Sequence, residues 1–124
     1  MNKTLKRSRN KLHEHNLQAD YYQGWKIVHK YAQFLQRATL SRLNNKSKYP
    51  DILESLETFN TLMIYEFKSC GIDYKNKRFY RVWNDADRTI KKNIKRYRSR
   101  SEDIMLTSIM NITNITTHHL ELNK

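Results

Sequence analysis

The chain has 124 residues, enough for one packed domain and too few for two, and its 24 Lys and Arg against 12 Asp and Glu give a formal charge of +12. With only 2 Gly and 1 Pro, an all-β fold lacks the residues its turns require. A lone cysteine, Cys70, excludes an intrachain disulfide framework and fits a reducing compartment, and no apolar run approaches the ~18 residues of a membrane span.

The charge is segregated. Residues 1–50 hold eleven basic and two acidic side chains, 51–71 one and four, 72–100 eleven and three, and 101–124 one and three. An AT-rich genome that supplies Lys and Asn freely would raise the pI, but it would not cluster the charge. The clustering points to a basic face and an anionic partner.

In chain order, residues 1–18 form a basic N-terminal arm in which Leu5, Leu12 and Leu17 are the apolar anchors. It reads either as a segment that becomes helical on a partner or as a short, poorly anchored helix over 3–18. The remainder, 19–124, is expected to be one helical-bundle domain. Asp20 is the expected N-cap of a helix over 20–43. Tyr21, Trp25, Val28, Ala32, Leu35 and Leu43 form one apolar stripe along it, and Ile27, Tyr31, Phe34 and Ala38 a second. Together they cover half the circumference, so this helix is either central to the bundle or shared with a second subunit. Lys26, Lys30 and Arg37, with Gln33 among them, line the remaining strip. Gly24 weakens the helix unless it marks a close contact.

NNKSKYP at 44–50 is the clearest break, with Asn44 and Asn45 ending one helix and Pro50 opening the next. A helix over 51–70 follows, with Ile52, Leu56, Phe59, Met63, Phe67 and Cys70 as its core stripe and Gly71 as its stop. Cys70 is expected to be buried, and this acidic helix to face away from any polyanion. From 74 to 99, with Asp73 as cap, Phe79, Trp83, Ala86, Ile90, Ile94 and Tyr97 recur at steps of three and four. Lys77, Arg81, Arg88, Lys92 and Lys95 fall on the opposite side, which makes this helix apolar on one face and cationic on the other. Ser99 and Ser101 mark the next boundary. A last helix over 102–119 carries Ile109, Ile112 and Ile115 at a spacing of three. The predicted fold is therefore all-α, a small bundle of four to five helices.

No catalytic constellation stands out. His13 with His15, and His118 with His119, sit too close in sequence to converge on a metal from one helix. Asp85 and Asp87 point about 200° apart on a helix and are expected to pair with Arg81 and Lys91. A phosphate-cradling glycine loop and a nucleophile elbow are both missing. An enzyme, a cofactor and a metal are therefore not expected, and no motif carries a resemblance to a known family.

The function expected is that of a non-catalytic accessory protein holding a phosphate backbone with little sequence specificity. Lys77, Arg81, Arg88, Lys91, Lys92, Lys95 and Arg96 are its predicted contacts, aided by Lys26, Lys30, Arg37 and the arm. Tyr80 at the helix flank would stack on an unpaired base, tilting preference toward single-stranded DNA or RNA, although a half-buried core-edge tyrosine is the plainer assignment. The alternative is a protein-interaction module, such as an immunity protein, inhibitor or adaptor, whose cations meet an acidic partner protein. Homo-oligomerisation, and an intracellular location (cytoplasmic, or nuclear in a eukaryote), complete the expectations.

Overall fold

The computed structural model describes residues 2–41, 49–96 and 101–122, with side-chain surroundings for 20–41, 51–94 and 103–122. The predicted roles of Leu5, Leu12, Leu17, Leu43, Asn44, Asn45, Tyr97 and Ser99 lie outside the described residues or side chains. Among the described residues, four helices make up the architecture: α1 (Asn2–Leu40), α2 (Tyr49–Ser69), α3 (Arg78–Arg96) and α4 (Ser101–Leu122). The fold is a small all-α bundle, as the periodicity predicts, and none of the described helices is long and apolar enough to cross a membrane.

The predicted segment 3–18 and the described part of the segment 20–43 are one continuous helix ending at Leu40, and Asp20 lies inside it rather than at its start. A good N-cap residue does not end a helix where the backbone on both sides can continue its hydrogen bonds. α1 is the central element. Its broad apolar arc meets α4 and α2 extensively and α3 through a smaller contact. Trp25, Ile27, Val28, Tyr31, Ala32 and Leu35 are all buried there. The width of that arc is thus used within the chain.

α2 ends as its sequence dictates. The Ile72 N–H donates to the Phe67 carbonyl at 2.9 Å and the Gly71 N–H to that of Lys68 at 3.1 Å, with Gly71 at φ +69°. This is the Schellman closure, in which the left-handed residue is best a glycine and the residue after it packs back on the helix. Ile72 and Phe67 are accordingly buried. Cys70 is the correction: it falls in the turn just past the last helical residue and is exposed. Its N–H still donates to the Glu66 carbonyl at 3.0 Å, but the chain reverses at Gly71 and carries Ile72, not Cys70, onto the core.

α3 begins at Arg78, four residues later than the sequence suggests, so Asp73 does not cap it. Tyr74 and Lys77 close a turn first, the Lys77 N–H donating to the Tyr74 carbonyl at 3.0 Å. Phe79, Trp83, Ala86 and Ile90 then enter the core as predicted, with Ile94 half-buried. The Trp83 indole N–H donates to Asn60 Oδ1 at 3.0 Å, which ties α3 to α2. Gly24 does mark a close contact. A Cβ placed on it would come within 2.4 Å of the Phe79 ring, so α1 carries a glycine where α3 lays an aromatic side chain across it. α4 is tied to α1 by the His119 ring stacked on Trp25 at 4.0 Å and by Thr116 Oγ1 at 2.7 Å from His29 Nδ1.

Candidate nucleic-acid interface

α3 presents its cations on the face turned from the core. Arg78, Arg81, Arg88 and Lys92 are exposed, while Lys77 is half-buried just before the helix. The side chains of Lys95 and Arg96 lie outside the described ones. From Arg81 to Lys92 the row runs about 16 Å at ~1.5 Å per residue. Arg81 donates to the Asn76 carbonyl at 3.2 Å, which leaves Asp85 to Arg88, three residues on, at 2.9 Å. The predicted Asp85–Arg81 pair is therefore replaced by Asp85–Arg88. That pair is 70% and 78% exposed, and ion pairs of this kind are worth about 0–1 kcal/mol, so an arriving phosphate can displace Asp85.

Lys91 behaves differently. It pairs with Asp87 at 3.2 Å, as the i,i+4 spacing predicts, and also with Glu57 from α2. Partial burial works against its charge, but the two carboxylates outweigh it and hold the ammonium above its usual range. Lys91 is a clamp between α3 and α2. Lys30 on α1 is a second clamp: it and the Tyr31 hydroxyl both donate to Glu66 Oε1 of α2, at 2.5 and 2.6 Å. Burial of the Glu66 carboxyl would raise its pKa, yet the two donors bring it below the ordinary carboxylate value. Burial together with the Glu66 contact pushes the Tyr31 phenol up to about 12. α2 therefore does not stand apart from the basic helices; its carboxylates reach both of them.

Lys26, Lys30, Gln33 and Arg37 are exposed along one side of α1. Lys26 lies 5.8 Å from the Tyr22 ring centroid and Arg37 5.4 Å from that of Phe34, contacts that leave the charges available. This row and the α3 row do not form one face. α1 and α3 meet across the core, where Phe79 touches Trp25 and lies over Gly24, and each cationic row is on the far side of its own helix from that meeting. The two rows leave the bundle in opposite directions.

Tyr80 is half-buried. Its ring lies edge-on to Tyr74 at 4.8 Å and to Phe67 at 6.3 Å, which is the core-edge position rather than an open stacking platform. Arg78 and Lys75, both exposed, extend the basic surface at the start of α3, and the sequence reading omitted them. Setting the helix start at Arg78 would have placed Arg78 beside Arg81 on the cationic side.

The groove between α3 and α4, of about 270 Å³, has Asp85 as the one ionisable group among its described lining residues, so it offers no acid–base pair. Among the described residues, no three His, Cys, Asp or Glu groups stand close enough to hold a metal ion. Comparison with protein-family models, with curated proteins and with solved structures finds no match to this chain.

Proposed function

We propose that the protein is a non-catalytic accessory factor that holds the phosphate backbone of a nucleic acid on exposed helical cations, with little sequence specificity. The observation that carries this reading is the row Arg81, Arg88 and Lys92, exposed at helical spacing directly opposite a fully buried apolar stripe. A straight row of about 16 Å matches roughly five phosphate spacings of ~3.4 Å along one strand of a duplex. Guanidinium and ammonium groups without base-edge partners position a backbone and do not read it. Lys91 and Lys30 act as struts in this reading, and the ligand falls to Arg78, Arg81, Arg88 and Lys92, with Lys26 and Arg37 on the other side. The engagement of Tyr80 with Tyr74 and Phe67 removes the reason to favour single strands, so single-stranded and duplex ligands are both candidates.

Such a role belongs in the cytoplasm, or in the nucleus of a eukaryotic cell. It does not call for an oligomer, because α2, α3 and α4 together occupy the wide apolar arc of α1. The test is affinity for random-sequence DNA and RNA as a function of salt. Four phosphate contacts imply a loss on the order of a hundredfold between 50 and 200 mM salt. Changing Arg81, Arg88 and Lys92 together with Lys26 and Arg37 to Glu should abolish that component while the helical circular dichroism is kept. Affinity that ignores salt, or survives reversal of both rows, removes the reading. An absence of nucleic-acid binding, with one acidic protein co-purifying through the same cations, carries the interaction-module reading instead.

A further inference from the structure

We propose that one copy of this chain holds two separate nucleic-acid segments at once, one on each cationic row, and so bridges them. The inference rests on the phosphate-binding reading and goes beyond it in stating how many segments are held and where.

The two rows are alike in reach. Lys26 to Arg37 and Arg81 to Lys92 each cover about 16 Å of helix, long enough for roughly five phosphate spacings apiece. They are also separated. Each lies on the outer side of a helix whose inner side meets the other at Trp25 and Phe79, so one packed interaxial distance of ~8–10 Å and two helix radii stand between them, roughly 20 Å in all. Mobile ions screen charge over about 8 Å at physiological ionic strength. Two polyanions on opposite sides of the bundle therefore hardly repel each other, and the first leaves the second row free to be filled.

The flanks argue against one strand wrapping from row to row. On one side stands α2, with Asp51, Glu54 and Glu57 exposed and Glu66 half-buried at the α1 edge. On the other stands α4, whose sequence contains no Lys or Arg and which exposes Asp103 and Glu121. A backbone crossing either flank would leave cations for carboxylates. Apart from Lys68 near the end of α2, the described flanks of the rows are neutral or acidic, and occupation of both rows by separate segments costs nothing in continuity. The clamps support the same division: Glu66 and Glu57 neutralise Lys30 and Lys91, the cations that face α2, and so sharpen the edge of each row.

The test uses a short oligonucleotide about as long as one row, supplied as an equal mixture of donor-labelled and acceptor-labelled molecules. The full chain should bind two per copy and give energy transfer between labels. The pair Lys26→Glu with Arg37→Glu, and separately Arg81→Glu with Lys92→Glu, should each still retard the oligonucleotide at a stoichiometry of one and lose the transfer. All four positions are exposed and none is a clamp; should a charge-reversed chain fail to fold by circular dichroism, the corresponding Gln variants take its place. Binding at a stoichiometry of one with no transfer in the full chain overturns the bridge and leaves the phosphate reading standing. Transfer that persists in both single-row variants also overturns it, because the link then runs through self-association. Failure of the full chain to bind at low salt removes the phosphate reading and the bridge together.

Discussion

The cationic rows of α1 and α3 have similar spacing and the same reach, yet their charges are kept by different partners. On α3 the carboxylates Asp85 and Asp87 lie within the helix itself and Glu57 comes from α2, so the pairing is mostly local and mostly exposed. On α1, the ion pair seen among the described residues is with Glu66 of α2, in a half-buried knot shared with Tyr31. A lysine at the edge of a row, where the next helix begins, becomes a strut. One in the middle of the row stays available. A count of cations in the sequence therefore overstates the ligand-facing surface, and the neighbouring helix decides by how much.

The most severe perturbation falls on the contact that holds the two rows apart. Phe79→Ala removes the ring that lies between α1 and α3, and a buried Phe→Ala change costs about 3–5 kcal/mol. Urea unfolding should show a loss of that size. If it stays below about 1 kcal/mol, Phe79 is not the keel of the bundle. A smaller effect of opposite sign to propensity is expected at Gly24→Ala. An uncrowded helical glycine gains up to ~1 kcal/mol from the change, whereas here a methyl group meets the Phe79 ring and overpacking costs about 1–3 kcal/mol. A net fall in the urea midpoint is the expected result, and a rise would mean that the ring moves aside freely.

The struts separate the rows more finely. Glu66→Gln leaves Lys30 and Tyr31 facing a neutral amide in a partly buried site and should cost about 1 kcal/mol, after discount for the exposure of Lys30. Glu57→Gln should cost under about 0.5 kcal/mol, since Lys91 keeps Asp87. Glu66→Gln should also tighten nucleic-acid binding by releasing Lys30, and Glu57→Gln far less, because Asp87 still holds Lys91. Equal stabilities for the two variants would erase the distinction between a tertiary and a local keeper.

The mildest perturbation is pH. Burial lowers the pKa of His29, and burial followed by the nearby Arg78 and His118 lowers that of His119, both from an ordinary 6.5. Both rings face α4 side chains from, or against, α1: His29 meets Thr116 and His119 stacks on Trp25. The unfolded chain then binds more protons than the folded one just below pH 6.5. The stability they contribute is complete above about 6.5 and declines as the pH falls through and below that value. His119→Phe keeps a ring on Trp25 and removes one titration, so its urea midpoint should fall less between about pH 7.5 and 5.5 than that of the parent chain. An identical pH profile would remove His119 from the account.

The apolar stripes of α2 and α3 were legible because they recur at steps of three and four, and the Gly71 stop because a left-handed helix end has a strong residue preference. The single helix through Asp20, the late start of α3 and the exposure of Cys70 were not. Each depends on whether the backbone continues past a residue that suits either outcome, and at the α2–α3 connection the packing of Phe67, Tyr74 and Phe79 decides it. Tyr80 is similar: its helical position fits an open flank, and the ring of Tyr74, brought there by the loop, with that of Phe67 from α2, packs against it.

What the residues alone determined is an all-helical chain whose positive charge lies opposite its buried stripes, since helical pitch converts spacing directly into faces. What required the tertiary structure is which way those faces point and which cations are already engaged. Periodicity fixes the angle of a side chain about its own axis and nothing about the axis next to it. Only the packing of α1 against α3 turned two basic rows back to back, and only the seating of α2 beside both made struts of Lys30 and Lys91.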